Sequence, residues 1–440
     1  MSIITQISNM NIGPSHHRFK GLIDDFQRTC PQRQFEEVAD TFQTTYPHPE
    51  KIAGEQRRKL QESLRRWVEG GEYVHCYLVE DEHVVPLDRA HRDTDFGRPK
   101  IWQIDVTNNF SANHYLPTYQ HLLQKMEETQ PQIRPGKTIM LEVTTGSAGI
   151  AFGHVGQLTG YPRELFAPAE IRENDPARWE LMREAVEGND ACGGKLVAAE
   201  GDQFLASAIR MFRERIGELG GGRGQREGRF ALPNHSMRAE TVEACSALFL
   251  AAMREITVPM DAAAVGIGNG TSAEAMKQAL GKKFGTSPAL YGYEGRHDPG
   301  MWQRLHGLLP ENERENRVWM YGVDGTGNVG MDFRYIQELI HEGALRDIIL
   351  VSRRECEEVF ESLNHGQTVS HSMGRSSAGG ISAAARLARE MNYKNVCCVR
   401  YDTAAPYGEF IPRTSSFVEK ETVYIGRGNW NNQIDAKKVL

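Results

Sequence analysis

Short apolar runs alternate with helical stretches over most of this 440-residue chain. The runs KIWQIDV, KTIMLEVTT and DAAAVGIG have the character of strands, and each is followed by a segment with helical spacing. Such alternation is typical of βαβ units, in which helices cover both faces of a parallel sheet. A single hydrophobic core stops growing at roughly 250 to 300 residues, so a chain of this length needs more than one. We therefore predict an α/β fold built from two doubly wound parallel-sheet domains.

Changes in pattern along the chain indicate where these domains begin and end. Residues 1–85 are predicted to be an N-terminal extension, in which GEQRRKLQESLRRW has helical spacing. Residues 86–230 are assigned to an N-terminal α/β domain, and residues 231–440 to a C-terminal α/β domain. The boundary follows GGGRGQREGR, residues 220–229, which is rich in glycine and has no periodicity. We expect this segment to be a flexible surface connection.

Composition and charge exclude several classes of function. The formal net charge is -7, and basic stretches such as EQRRKLQESLRRW are interrupted by Glu, so no nucleic acid partner is expected. The first residues lack the regions of a secretion signal, and CSALFLAAM is too short to span a bilayer. We therefore expect a cytoplasmic protein without a membrane segment. The seven cysteines are scattered and include no C-x-x-C pair, so neither a disulfide framework nor a metal site is predicted.

A glycine-rich turn is the strongest local candidate for a ligand-binding site. It follows the apolar strand DAAAVGIG, passes directly into a helix, and contains Gly268, Asn269, Gly270, Thr271 and Ser272. Free backbone amides and the helix dipole converge at such a position and favour an anion such as phosphate. The spacing differs from that of a dinucleotide fingerprint or a P-loop. The pattern alone therefore leaves open a plain turn between a strand and a helix.

A second loop repeats this design on an earlier strand. After KTIMLEV the chain continues with Thr144, Thr145, Gly146, Ser147 and Ala148, and then enters a helix. Its amides and hydroxyls are suited to a smaller anion such as a carboxylate. Two loops of this kind predict one ligand that carries a phosphate and another that carries a carboxylate.

Five segments resemble the fold type II family of pyridoxal-phosphate (PLP) enzymes, the tryptophan synthase β and cysteine synthase group. KTIMLEVTTGSAGIA is similar to the family's substrate-carboxylate loop, VGIGNGTS to its phosphate loop, and ALYGYEG to the next strand. GRSSAGGISAAARLA is similar to the segment that carries a serine beside the pyridine nitrogen, and the match falls on Ser377. LPNHSMRAETV resembles an N-P-x-x-H segment of the family. The resemblance implies a tryptophan synthase β-like fold, PLP as cofactor, an amino-acid substrate and a homodimer.

The resemblance breaks at the lysine that normally binds the cofactor as a Schiff base. Counting forward from IWQIDV places His114 at that position, and counting backward from HLLQKMEE places Tyr115 there. Lysine normally both holds the cofactor and moves the proton at the substrate α-carbon, and histidine can do only the second. We expect the imidazole of His114 to act as a base near its unperturbed pKa of about 6.5. Alternatively, both residues only fill a vacated pocket.

Two functions are favoured by this pattern, and a third, weaker alternative is an enzyme that uses the same pocket for another phosphorylated ligand without PLP. The first is an enzyme that catalyses α,β-elimination or β-replacement on an amino acid, with His114 and Tyr115 as catalytic residues. PLP would then be bound by Gly268–Ser272 and Ser377, and the substrate by Thr144–Ala148, where Ser147 and Ala148 replace the family's usual Asn and Thr. The second is an inactive pseudoenzyme of the same fold that binds an amino acid or a partner protein. Further candidates for contact follow the last strand, namely Asp402, Thr403 and Tyr407.

Overall fold

The structure is a computed structural model, and it describes residues 75–78, 99–107, 113–188, 192–201, 205–285, 288–308, 310, 333–364 and 373–403. The predicted N-terminal helix and the candidate Tyr407 lie outside these residues. The described strands are β1 His75–Leu78, β2 Lys100–Asp105, β3 Ile139–Val143, β4 Arg163–Pro168, β5 Gly194–Ala199, β6 Phe230–Ala231, β7 Ala262–Gly266, β8 Ala289–Gly295, β9 Leu345–Val351 and β10 Asn395–Arg400.

Helices connect and cover these strands. The described α-helices are α1 Tyr115–Thr129, α2 Ser147–Thr159, α3 Ala169–Asn174, α4 Pro176–Glu187, α5 Leu205–Glu218, α6 Gly221–Arg226, α7 Ala239–Ala252, α8 Thr271–Phe284, α9 Gly300–His306, α10 Arg334–His341, α11 Arg353–Asn364 and α12 Arg375–Glu390. None of the described helices is both long enough and apolar enough to cross a bilayer.

The strands form two sheets. Among the described residues, the larger sheet has six strands in the order β1-β2-β10-β7-β8-β9, and the smaller has four in the order β5-β4-β3-β6. Of the described strands, only β1 runs antiparallel to its neighbour, and the other neighbouring strands in both sheets are parallel. The predicted α/β fold with parallel sheets is therefore confirmed.

Apolar side chains on both faces of the larger sheet explain why its strands are almost continuously hydrophobic. In β7, Ala263 and Val265 pack into a cluster with α7 and α8, whereas Ala262 and Ala264 pack into a second cluster with α11 and α12. Successive residues of a strand point to opposite faces, so an entirely apolar strand is needed between two helical layers. The smaller sheet is covered in the same way, by α1, α2 and α4 on one face and α5 on the other.

Two features of chain organisation bear on the predicted domains. β2 precedes the predicted boundary at residue 230, yet it pairs with β10 near the end of the described chain. The division into residues 1–85, 86–230 and 231–440 stays a prediction.

The expectation of a flexible connection at residues 220–229 is wrong, because α6 forms there. Gly220 caps this helix in the left-handed region, and Arg223 pairs with Glu227 one turn later at 2.7 Å.

Candidate functional site

The glycine-rich loop after β7 is fixed by its backbone conformation and by close packing. Gly270 has φ +84° and immediately precedes α8. A Cβ atom at this position would lie 2.7 Å from Ile336 Cγ1 and 2.9 Å from Ile336 N. Glycine is therefore required both for the left-handed conformation and for the space.

One buried hydroxyl group in this loop has no hydrogen-bond partner among the described residues. The side-chain oxygen of Asn269 accepts a hydrogen bond from Thr271 N at 3.0 Å, which tightens the turn into α8. Thr271 is 4% exposed, and its Oγ1 has no hydrogen-bond partner among the described residues. A buried hydroxyl without a partner costs about 1 to 3 kcal/mol, and a bound anion at the start of α8 would remove this cost. The loop thus fits a phosphoryl group.

Tyr401, at the end of β10, connects this loop to two other predicted site residues. Its hydroxyl accepts a hydrogen bond from Gly266 N at 3.2 Å and is also bonded to the side chain of Ser272. Its carbonyl accepts a hydrogen bond from His114 N at 3.2 Å, and its own N–H donates to Ser377 Oγ at 2.9 Å. Burial raises the pKa of Tyr401 well above its usual range, so the phenol is neutral. The sequence pattern indicates the residues that follow Tyr401 but not Tyr401 itself.

His114 is a buried and neutral imidazole. Its Nδ1 faces the Tyr401 carbonyl at 3.4 Å, which favours the tautomer with the proton on Nδ1. Burial, opposed by the hydrogen bond to the Tyr401 carbonyl and reinforced by nearby His235, lowers the pKa of His114 to about 4. The expectation of an unperturbed pKa is wrong, because the side chain is 4% exposed and the charged form is poorly solvated. His114 is therefore a weak base.

Tyr115, the first residue of α1, lies between two histidine rings. Its ring centroid is 3.8 Å from that of His114 and 5.3 Å from that of His235. Burial raises the pKa of Tyr115 above its usual range, and Cys245, Asp402 and Glu142 add to the effect in that order. The phenol keeps its proton at neutral pH, so Tyr115 can donate a proton and does not act as a base.

Ser377 is directed toward a carboxylate at the end of β10. Ser377 is fully buried, and its hydroxyl donates to Asp402 Oδ1 at 3.3 Å. Ser376 donates to the same Asp402 oxygen at 3.2 Å. A Cβ atom on Gly374 would collide with Asp402 Oδ1, so the start of α12 can approach Asp402 only through a glycine. Asp402 and Thr403 are 5% and 1% exposed.

The loop Thr144–Ala148 lies at the end of β3, in the smaller sheet. Gly146 has φ -179° and directly precedes α2, which begins at Ser147. A Cβ atom on Gly146 would lie 3.5 Å from Arg178 Cδ, so the Arg178 side chain runs beside the start of α2. Arg178 is paired with Asp175 at 2.9 Å, which offsets the cost of a cation near a helix N-terminus. No pattern in the sequence indicates Arg178, because its contact depends on the packing of α4 against α2.

The structure therefore brings some of the predicted residues together directly and others indirectly. Tyr401 contacts His114, Ser272 and Ser377. The loop Thr144–Ala148 is linked to this group through Glu142 of β3, which accepts a hydrogen bond from Tyr119 of α1 at 3.1 Å. Tyr119 lies one helical turn after Tyr115.

Comparisons with known proteins identify the family and the fold. A family model described as pyridoxal-phosphate dependent enzyme matches residues 70–402. No curated protein matches the sequence. An O-acetylserine dependent cystathionine β-synthase from Helicobacter pylori has a TM-score of 0.58 at 16% identity, covering 78% of this chain and 96% of its own.

Two further solved structures are similar. A cysteine synthase from Entamoeba histolytica has a TM-score of 0.57 at 16% identity, covering 77% of this chain and 88% of its own. A hydrogen sulfide-producing enzyme from Fusobacterium nucleatum has a TM-score of 0.55 at 15% identity, covering 70% of this chain and 92% of its own. At these identities the likeness to solved structures shows a shared fold.

Proposed function

The chain belongs to the pyridoxal-phosphate dependent enzymes, and from this premise we propose that it catalyses α,β-elimination or β-replacement on an amino acid without a lysine at the usual position. The observation that carries the proposal is the buried hydroxyl of Thr271, which has no partner among the described residues. It lies at the start of α8, directly after the left-handed Gly270, where backbone N–H groups at a helix N-terminus favour an anion. The Tyr401 contacts connect this loop to His114 and Ser377.

The family's cofactor would be held through its phosphoryl group. The backbone of Gly268, Asn269 and Gly270 and the hydroxyls of Thr271 and Ser272 are the groups available for it. When bound, PLP supplies an electron sink for a bond broken at the substrate α-carbon. Ser377 already donates its proton to Asp402, so we assign it the role of positioning that carboxylate rather than contacting the pyridine nitrogen directly.

The two predicted catalytic positions, His114 and Tyr115, differ in what each could do with a proton. Tyr115 keeps its proton and can donate it to a leaving group. His114 is neutral and, with Nδ1 turned to the Tyr401 carbonyl, has only Nε2 as an acceptor. Its lowered pKa makes it a poor acceptor. The substrate carboxylate would be bound at the start of α2 by the loop that contains Thr144, Thr145, Gly146, Ser147 and Ala148.

The experiment that tests this function is a titration of the purified protein with PLP, followed by absorbance, with and without O-substituted serines. We expect binding in the wild type and in Gly285→Ala, and loss of binding in Gly270→Ala. Product formation from the serine derivative would then identify elimination or replacement. If neither the cofactor alone nor the cofactor with an amino acid changes the absorption, the proposal is wrong.

A second candidate function is the inactive pseudoenzyme. It is favoured by one observation: the Tyr401 hydroxyl bonds to Gly266 N and Ser272, where a ligand phosphoryl group would compete with it. In that case the protein would bind an amino acid or a partner protein without turnover. Turnover that disappears in His114→Ala and Tyr115→Phe would exclude this candidate. The homodimer and the cytoplasmic location stay predictions, and light scattering would test the first.

A further inference from the structure

A buried carboxylate lies directly beside the proposed substrate loop. Glu142 is 2% exposed and is separated from Thr144 by one residue of β3. Its Oε1 accepts a hydrogen bond from Val143 N at 3.0 Å, and its Oε2 accepts from Tyr119 Oη at 3.1 Å and from His235 N at 3.4 Å. Among the described residues no lysine or arginine pairs with Glu142, and the basic group nearest to it is the imidazole of His235, with Nδ1 3.4 Å from Oε2.

The hydrogen bonds around Tyr119 fix the tautomer of His235. Tyr119 Oη lies 2.8 Å from His235 Nδ1 and 3.1 Å from Glu142 Oε2. Burial and the neighbouring Glu142 raise the pKa of Tyr119 well above its usual range, so the phenol has one proton to donate. A carboxylate only accepts hydrogen bonds and is the strongest acceptor in this cluster. Tyr119 therefore donates to Glu142 and accepts the Nδ1 proton of His235.

This arrangement leaves the lone pair of His235 on Nε2. His235 is 7% exposed, and no hydrogen bond joins its Nε2 to another described residue. The Nδ1–H of His235 is held by the Tyr119 hydroxyl, which in turn donates to the Glu142 carboxylate, and an imidazole oriented in this way presents Nε2 as a general base. His114, on the other side of the Tyr115 ring, has only a backbone carbonyl as the partner of its Nδ1. The two histidines thus differ in the group that would stabilise their charged forms.

The position of His235 suits a proton transfer at the substrate. An amino acid bound through its carboxylate to Thr144–Ala148 would have its α-carbon one bond away from that group, near the end of β3. Glu142 is part of β3, and the backbone N–H of His235 contacts it. The titratable groups that surround His235 are Glu142 from β3 and Tyr115 and Tyr119 from α1, with His114 and Asp402 beyond the Tyr115 ring.

We propose that His235 is the residue that accepts the substrate α-proton, and that Glu142 and Tyr119 are positioning residues that act through it. The C–H bond at the α-carbon breaks, an N–H bond forms at Nε2, and the electron pair stays with the substrate carbon. His235 thereby takes over the second task of the missing lysine, and the inference rests on the proposed function.

The first arm of the test needs no cofactor. Full-length protein labelled with ¹⁵N-histidine reports the tautomer of each imidazole by NMR, and the signals of His235 are those absent from His235→Gln. We expect the Nδ1–H tautomer in the wild type at neutral pH, and its loss or mixing in Tyr119→Phe and Glu142→Gln. If Tyr119 and Glu142 had only a structural role, the tautomer of His235 would not need to change in either variant. An Nε2–H tautomer in the wild type overturns the proposal.

The second arm measures exchange of the α-proton of alanine with deuterated water in the presence of PLP. We expect His235→Gln to slow exchange at least about 100-fold, as for loss of a general base, with PLP affinity within about twofold of the wild type. His121→Gln is the matched control, since His121 is partly exposed on α1 and pairs with Glu243 at the surface. Wild-type exchange in His235→Gln, or loss of exchange in His114→Gln alone, contradicts the assignment.

The two arms separate this proposal from the function on which it rests. If the wild type binds no PLP, the proposed function fails, and the tautomer of His235 still decides whether Glu142 and Tyr119 prepare it as a base. If PLP binds and exchange occurs but does not depend on His235, only the present proposal fails. Urea unfolding of each variant confirms that it is folded before either measurement.

Discussion

The two strand-to-helix loops share one design and differ in how strictly the surroundings determine their backbone. Gly268–Ser272, the phosphoryl loop, enters α8 through a left-handed glycine that packs directly against Ile336. Thr144–Ala148, the carboxylate loop, enters α2 through Gly146 in an extended conformation, with Arg178 at ordinary contact distance. The backbone therefore requires glycine at position 270 but not at position 146.

The difference concerns how each loop would recognise an anion. In the phosphoryl loop the backbone and the unpaired hydroxyl of Thr271 supply the donors, and any shift of Gly270 displaces both. In the carboxylate loop a buried Arg178–Asp175 pair stands beside the helix N-terminus. Side chains can adjust by rotation, whereas a backbone turn packed against another segment cannot. We therefore expect the phosphoryl loop to be the less tolerant of the two.

The largest effect is expected for Gly270→Ala. A methyl group here meets Ile336 Cγ1 at 2.7 Å and Ile336 N at 2.9 Å, and the residue has φ +84°. Conformational strain and overpacking together predict a loss of about 4 kcal/mol in the free energy of unfolding, with loss of PLP binding. Urea unfolding and absorbance titration measure the two effects.

Gly285→Ala is the matched control for that variant. Gly285 ends the same helix with φ +68°, but no atom lies within 4 Å of its added Cβ. Only the conformational cost of about 1 kcal/mol remains, and PLP binding should be retained. Equal effects of the two variants would mean that packing against Ile336 does not constrain the phosphoryl loop.

The second prediction concerns the pH dependence of stability that arises from His114, the residue that links α1 to the phosphoryl loop through Tyr401. The pKa of His114 falls from 6.5 in the unfolded chain to about 4 in the folded chain. Between these values the unfolded state binds more protons, so stability is complete above pH 6.5 and is lost as the pH falls toward 4. His114 accounts for about 3 kcal/mol of this pH-dependent loss in the free energy of unfolding.

Urea unfolding at several pH values, in the wild type and His114→Gln, isolates this contribution. Burial also lowers the pKa of His154 to about 4 and raises that of Glu294 to about 8, but both groups are present in the two proteins and cancel in the difference. The variant should lose less stability between pH 6.5 and 4. A difference that is constant over this range would show that His114 is not held in its neutral form.

The third prediction tests the unpaired hydroxyl itself. Thr271→Val removes it without changing the shape of the side chain, so the cofactor-free protein should gain about 1 kcal/mol of stability. The affinity for PLP should fall about tenfold, as for the loss of one hydrogen bond to a charged group. Stability and PLP affinity therefore change in opposite directions.

Thr241→Val provides the control for this pair of effects. Thr241, at the start of α7, is fully buried, and its hydroxyl likewise has no partner among the described residues. It should give the same gain in stability and leave the affinity for PLP unchanged. A similar loss of affinity in both variants would show that Thr271 does not contact the phosphoryl group.

The sequence predicted the elements of this comparison better than the contacts between them. Both loops could be recognised because a strand, a glycine-containing turn and a helix are adjacent in the chain. Gly270 and Gly146 could not be distinguished, since the difference depends on Ile336 and Arg178, which lie 66 and 32 positions away. Local patterns determine where a turn occurs but not which distant residue packs against it.

The same limit explains the residues of the site that the sequence did not reveal. The strand β2 could be predicted from KIWQIDV, but its pairing with β10 spans almost 300 positions. Tyr401 gains its contacts with His114 and Gly266 from this pairing and from that of β10 with β7. Counting from a strand predicts His114 as a site residue, whereas its burial, and hence its weak basicity, became visible only in the folded chain.

The smallest effect is expected for Gly146→Ala, which completes the comparison from the side of the carboxylate loop. Its φ of -179° is open to any residue, and the added Cβ would meet Arg178 Cδ at an ordinary 3.5 Å. The free energy of unfolding should change by less than about 0.5 kcal/mol. Gly149→Ala, three residues later, would place a Cβ 2.7 Å from Leu165 Cδ2 and should cost about 1 to 2 kcal/mol. If Gly146→Ala were instead as damaging as Gly270→Ala, the carboxylate loop would also depend on an exact backbone path, and the two loops would recognise their anions in the same way.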